Sequence, residues 1–249
     1  MVLQKIIDQK RKEIVNLPKL NQDMLTNANG DFAKKLSSSG VPIIAELKSK
    51  SPSEGVIDEN YHPEEIAKAY QKGGASALSI LTDNKFFGGS FDDIKKVKSV
   101  CDLPVLCKEF IIDPIQIYHA RAAGADACLL IVRCLDEQQL AMLYKCVSDL
   151  GMDALIEVFD ESEMQSALKV GAKIIGVNNR NLDTLEMDMG NIERLAKIVP
   201  DDVMLLSLSG AKTPADLHFY ATQYDGVLAG TALMRAKDKE AFLQSAIHP

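Results

Sequence analysis

Apolar positions along the chain fall into two alternating kinds of segment. One kind is short and nearly continuous: 41–47, 77–81, 104–107, 127–132, 154–158, 174–177, 203–208 and 227–229. These runs are rich in Val, Ile and Leu and mostly do not alternate with polar residues, which suits strands covered on both faces of a parallel sheet. The other kind spaces its apolar residues three and four apart. It predicts amphipathic helices over 63–72, 91–97, 114–123, 136–150, 161–170, 190–198 and 214–222. Asp113-Pro114 and Thr213-Pro214 each set a capping side chain before a proline at the first helical position. Gly73-Gly74, Gly124, Gly151 and Gly171 end helices ahead of strands.

Strand and helix in strict alternation predict an α/β fold with a parallel sheet. Eight such units in a chain of 249 residues predict a closed (β/α)8 TIM barrel instead of an open sheet. No linker or low-complexity tract interrupts the pattern, so residues 1–249 are expected to form a single barrel domain. Residues 1–40 precede the first strand and read as a helical N-terminal extension that caps part of the barrel.

Composition narrows the functional classes. The net charge is −7, from 28 basic and 35 acidic residues, with no block of like charge, which argues against a nucleic-acid partner. No apolar run is long enough to span a bilayer, and the charged N-terminus has no signal-peptide core, so a membrane role is not expected. Cys101, Cys107, Cys128, Cys134 and Cys146 are scattered, an odd set without a C-x-x-C pair. That usage fits reduced thiols in the cytoplasm and neither a disulfide framework nor a zinc site.

The informative residues are polar ones that close apolar runs. Glu46 and Lys48 share one face of the first run, because side chains alternate along a strand. Lys108 ends the third run, Glu157 lies in the fifth, and Asn178-Asn179-Arg180 end the sixth. In a barrel these positions gather at the C-terminal mouth, where active sites of this fold sit. One such lysine alone would read as a solvated strand end. Two lysines and two glutamates at the same end of three strands are costly to bury unless they serve a purpose. A crowded lysine can act as a general acid or as a Schiff-base nucleophile, and a buried glutamate can act as a base. His62, His119, His218 and His248 fall outside the strand ends, so no metal site is expected, and no glycine-rich nucleotide motif is present. No cofactor is therefore implied. Ser209-Gly210 and Gly230-Thr231 follow the last two strands, where barrels commonly bind phosphate on backbone N–H groups.

Together these residues resemble the indole-3-glycerol-phosphate synthase family of tryptophan biosynthesis. The likeness runs from Val41 to Arg235. It includes Ala45-Glu46-Leu47-Lys48 with Ser51-Pro52-Ser53, Phe87-Gly88-Gly89-Ser90, Lys108-Glu109-Phe110, Leu155-Ile156-Glu157-Val158, Gly176-Val177-Asn178-Asn179-Arg180-Asn181-Leu182 and Gly230-Thr231-Ala232-Leu233-Met234-Arg235. The resemblance implies a cofactor-free carboxy-lyase acting on 1-(2-carboxyphenylamino)-1-deoxyribulose 5-phosphate, with release of carbon dioxide and water. Carried over, Lys108 corresponds to the general acid, Glu157 to the acid/base of dehydration, and Lys48 to a group that aids proton transfer and holds anionic substrate groups. Glu46, Asn178 and Arg180 correspond to site-shaping and substrate-binding residues. Phe87, Phe110, Leu129 and Leu182 match the apolar wall around the anthranilate ring. Ser51, Ser209, Gly210, Gly230 and Thr231 match positions that bind polar groups and phosphate. The implied partner is a small phosphorylated substrate, and the protein is expected to act as a monomer.

Leu208 departs from that pattern, since the family has Glu-Ser-Gly where this chain has Leu208-Ser209-Gly210. By the two-residue period its side chain is expected to point into the mouth, beside Lys48 and Lys108, and to lower the pKa of the lysines there. Ala211, Ser49 and Glu109 are smaller departures. Two other readings stand beside the synthase: a lysine Schiff-base aldolase or retro-aldolase on the same barrel, and a catalytically inactive binder of phosphorylated aromatic ligands.

Overall fold

A computed structural model describes residues 2–20, 25–28 and 30–249. Eight parallel strands close into a barrel: β1 (Ile43–Leu47), β4 (Ala77–Leu81), β5 (Val105–Lys108), β6 (Ala127–Ile131), β7 (Asp153–Val158), β8 (Ile174–Asn178), β9 (Met204–Leu208) and β10 (Val227–Ala229). Each pairs with its neighbour in sequence, and β1 pairs with β10 to complete the circle. All eight apolar runs are strands, to within a residue or two at their ends.

Two cores follow from the alternation of side chains. One face of each strand packs outward under the helices, as Ile43, Leu78, Cys107, Leu130, Ile156 and Val177 do. The other faces inward, where Ile44, Ala77, Leu106, Leu129, Leu155, Ile174, Leu206 and Leu228 fill the barrel. The even coverage of both faces is why the strand sequences read as continuous apolar runs.

The expected helices form: α3 (Pro63–Lys72), α5 (Phe91–Lys98), α6 (Pro114–Ala123), α7 (Glu137–Asp149), α8 (Glu161–Lys169), α9 (Asn191–Ala196) and α10 (Pro214–Gln223). Asp113 and Thr213 cap α6 and α10 in reciprocal capping boxes, each with proline in the first turn. Shorter pieces at the mouth escaped the pattern: a hairpin of β2 (Lys50–Ser51) and β3 (Gly55–Val56), a one-turn helix α4 (Asn84–Phe87), and α11 (Thr231–Arg235). A last helix, α12 (Lys239–Ile247), also follows the barrel and packs on α3 and α10.

Ahead of the barrel lie α1 (Val2–Ile14) and α2 (Asp31–Ser37). Residues 1, 21–24 and 29 of the expected 1–40 extension lie outside the described residues. Helix α1 buries Leu3, Ile6, Ile7 and Lys10, a stripe spaced three and four apart on one face.

Candidate active site

A cavity of about 680 Å³ opens at the C-terminal ends of the strands. Every residue singled out from the sequence as catalytic or substrate-binding lines it: Glu46 and Lys48 at β1, Lys108 at β5, Leu129 on β6, Glu157 on β7, and Asn178 and Arg180 at β8. Ser51 joins from the hairpin, Phe87 from α4, Phe110 and Leu182 from loops, and Ser209, Gly210, Gly230 and Thr231 from the last two strand ends.

At the centre stands Glu46, which is 2% exposed. Its Oε1 lies 2.6 Å from Lys48 Nζ and its Oε2 lies 2.5 Å from Lys108 Nζ. Burial alone would raise its pKa, but the lysines outweigh burial and hold the carboxyl down to about 2. Lys108 shows the converse. Burial opposes its charge, yet Glu46 and Glu157 together keep its pKa above the ordinary lysine value. Gly230 makes this ion pair possible: a Cβ there would collide with Glu46 Oε1 and come within 2.9 Å of Lys48 Nζ.

Glu157 behaves differently from Glu46. Burial raises its pKa, and the opposing effects of Lys108 and of the Asn178 Nδ2 donor at 2.9 Å do not cancel that rise. The site therefore holds one carboxylate firmly ionised and one nearer to its protonated form, an arrangement suited to acid–base work. Asn178 in turn accepts the backbone N–H of Arg180 at 2.9 Å, which fixes where the Arg180 chain leaves the strand.

The loop that follows β9 is held in an unusual shape. Ser209 has φ 66°, a left-handed conformation uncommon outside glycine. Asn179 Nδ2 donates to Ser207 Oγ and to the Ser209 carbonyl, both at 3.2 Å, and so stabilises the turn from beneath. Over the mouth, Arg235 of α11 pairs with Glu54 at the hairpin tip at 2.7 Å.

Leu208 differs from expectation in two respects. It faces inward but lies beneath the cavity and does not line it, 1% exposed and packed on Gly176. A Cβ on Gly176 would come within 2.5 Å of Leu208 Cδ1, so the leucine occupies the volume a side chain at 176 would need. The expected depression of a lysine pKa is also absent at Lys108, because Glu46 supplies the compensating charge directly.

Several lining residues were not singled out from the sequence. Val2, Leu3 and Ile6 of α1 form part of the apolar wall, beside Leu81, Ile131 and Leu185. The available signal was in α1 itself: Lys10 continues the apolar stripe of Leu3, Ile6 and Ile7, an expensive place for a charge. Glu109 also lines the cavity; it stood within a recognised motif, but no sequence spacing shows that it meets Lys10.

Comparison with known proteins extends the geometry. The family model described as indole-3-glycerol phosphate synthase matches residues 3–246. A protein of that name from Leptospira interrogans is 43% identical over 237 residues, covering 95% of this chain and 93% of that protein. Another of that name, from Listeria monocytogenes, is 41% identical over 245 residues, covering 98% of this chain and 97% of that one. The multifunctional tryptophan biosynthesis protein of Schizosaccharomyces pombe is 45% identical over 224 residues, 88% of this chain and 30% of that much longer protein. Among solved structures, the tryptophan synthase α subunit of Legionella pneumophila superposes with a TM-score of 0.63 at 15% identity, over 90% of this chain and 98% of that one. At that identity the likeness speaks for the barrel fold.

Proposed function

The chain belongs to the indole-3-glycerol phosphate synthase family, and from that membership we propose how its own residues carry out the reaction. It is a decarboxylating carbon–carbon lyase of tryptophan biosynthesis, forming indole-3-glycerol phosphate from 1-(2-carboxyphenylamino)-1-deoxyribulose 5-phosphate. The observation that carries the residue assignments is the single buried carboxylate of Glu46 bridging Lys48 and Lys108 across from Glu157.

In this reading the ring carbon bearing the substrate carboxylate attacks the ketone, and Lys108 protonates the oxygen as charge develops on it. Loss of carbon dioxide restores the aromatic ring. Glu157, poised by burial to exchange a proton, then assists departure of the hydroxyl as water. Lys48 holds the substrate carboxylate and aids proton return, and Arg180, which lines the same cavity from the end of β8, helps bind the substrate. Phe87, Phe110, Leu129 and Leu182 enclose the aryl ring, and Ser51 with the loops at Ser209-Gly210 and Gly230-Thr231 takes the polar groups and phosphate. No cofactor is required for any of these steps.

The aldolase alternative needs a neutral amine on Lys48 or Lys108. Glu46 favours the charged form of Lys108 and so works against that chemistry. The reading further has residues 1–40 acting as an extension of one domain, and the protein working as a monomer in the cytoplasm without nucleic acid. Among the described residues, no helix is long and apolar enough to cross a membrane.

Fluorescence of the indole product, followed after mixing purified protein with the substrate, tests the activity directly. Turnover with release of carbon dioxide is expected. Tight substrate binding without product would instead support the inactive binder, and a substrate-dependent adduct trapped by borohydride on either lysine would support the aldolase.

A further inference from the structure

Helix α1 is fastened to the mouth through one buried lysine. Lys10 is 3% exposed, and its Nζ lies 2.7 Å from Asp83 Oδ2, 3.0 Å from Glu109 Oε1 and 2.7 Å from Glu13 Oε2. Asp83 and Glu109 are themselves buried, at 0% and 3% exposure, just beyond β4 and β5. Both carboxylates are also committed to the backbone of the aromatic wall. Asp83 Oδ1 accepts the N–H groups of Phe86 at 2.6 Å and Phe87 at 3.1 Å, capping α4. Glu109 Oε1 accepts the N–H of Phe110 at 2.8 Å, and its Oε2 accepts the Thr82 hydroxyl at 3.1 Å. The rings of Phe87 and Phe110 stand 5.9 Å apart between these anchors.

The same lysine sets the register of α1. Leu3 and Ile6, which line the cavity, lie on the face of α1 that Lys10 pins down. A second bond, from Lys85 Nζ of α4 to Gln9 Oε1 at 2.9 Å, ties the two helices in the same direction. Apolar packing would hold a helix on a barrel as well as buried charges do, so adhesion alone does not account for the cluster. What the charges add is direction, because each carboxylate has its lone pairs divided between Lys10 and the backbone of a residue at or beside a wall ring.

We infer that Lys10 is a positioning residue for the aryl subsite: through Asp83 and Glu109 it fixes Phe87, Phe110 and the Leu3–Ile6 face of α1 in one arrangement. It thereby sets which aryl group of an N-aryl aminoketose phosphate the cavity accepts. This rests on the reading that those residues enclose the substrate ring. Lys10 touches no reacting atom, so its removal acts on ring selection more than on bond making.

The test compares Lys10→Met with the parent full-length protein, using the ordinary substrate and one carrying a methyl group on the aryl ring. The ratio of the two kcat/KM values does not depend on how much protein is folded, which separates positioning from stability. We expect the parent to prefer the unsubstituted substrate and Lys10→Met to lose at least about tenfold of that preference, with KM rising more than kcat falls. Lys10→Arg should restore part of it. Should Lys10→Met fold poorly, Lys10→Met with Glu109→Gln removes one buried carboxylate along with the cation and gives the same readout. An unchanged ratio in the folded variant overturns the inference. A parent inactive on both substrates defeats the functional reading instead. Lys10 is then judged by calorimetry with anthranilate and methylanthranilate, where equal selectivity in parent and variant overturns it.

Discussion

Replacing Glu46 by Gln removes the charge that two lysines share while keeping nearly the same shape. The size of the effect can be worked from the site. The carboxyl titrates near 2 instead of its ordinary 4.5, a difference worth about 3 kcal/mol at about 1.4 kcal/mol per pH unit. That agrees in scale with the roughly 3–5 kcal/mol lost when one partner of a buried ion pair is removed. Two consequences follow for Glu46→Gln. Lys108 retains only Glu157 as a counter-charge, so burial prevails and its pKa falls. The alkaline limb of kcat/KM, which reports loss of the acid's proton, should then move down by at least about one pH unit, so that the loss of activity is greatest on the alkaline side. Stability should fall as well, by roughly 6–12 °C in Tm for about 3 kcal/mol in a chain of this size. Because the folded-state pKa lies below the unfolded one, the ion pair stabilises fully above about pH 4.5 and its contribution is lost as pH falls toward 2. Parent and variant should therefore converge in urea unfolding at the acid end and diverge above it. An alkaline limb that does not move refutes the claim that Glu46 maintains the acid, whatever happens to stability.

Three further outcomes are expected. Lys108→Ala should lower ring closure by about 10² to 10⁴ while leaving the circular dichroism of a folded barrel, with a lower Tm because Glu46 loses one of its two partners; a variant as fast as the parent removes Lys108 from the acid's role. A phosphorylated, non-reacting substrate analogue should bind at least about tenfold more tightly than its dephosphorylated form in isothermal titration, equivalent to about 1.4 kcal/mol, and equal affinities would exclude a phosphate site at Gly210 and Gly230. Leu208→Glu, which places a third inward carboxylate beside Asn178 but beneath the cavity, should leave the alkaline limb where it is, because Glu46 and Glu157 already hold Lys108 charged, and should lower Tm by burying an unpaired charge; an upward shift of the limb with faster turnover would show that Leu208 withholds a carboxylate the acid needs.

Much of this molecule could be read before its structure. The barrel strands were visible because both their faces are buried, so Ile43-Ile44-Ala45 or Leu129-Leu130-Ile131 carries no polar interruption. Glu46, Lys108 and Glu157 were visible for the complementary reason, as charges inside such runs. The short pieces at the mouth were not, since β2, β3 and α4 have too few residues for any periodicity to develop. Depth along the strand was the other blind spot. Alternation correctly turned Leu208 inward, but its resting place under the cavity depends on the empty volume at Gly176, a contact between neighbouring strands. Likewise, no local pattern pairs Lys10 with Asp83 and Glu109, which only the fold brings within reach.

The closure of the barrel also bears on how the chain is made. Strand β1 takes one neighbour from β4 soon after it, but the other edge of Ile43-Ile44-Ala45 pairs with Val227-Leu228-Ala229, near the far end of the chain. Roughly 180 residues must be synthesised between them, which at about 5–20 residues per second takes on the order of ten to forty seconds. For that interval an apolar edge with unpaired N–H and C=O groups is exposed on the nascent chain. Slowing translation across α9 and β9 should therefore increase capture of the growing polypeptide by holdase chaperones, whereas the same pause placed after β10 should not.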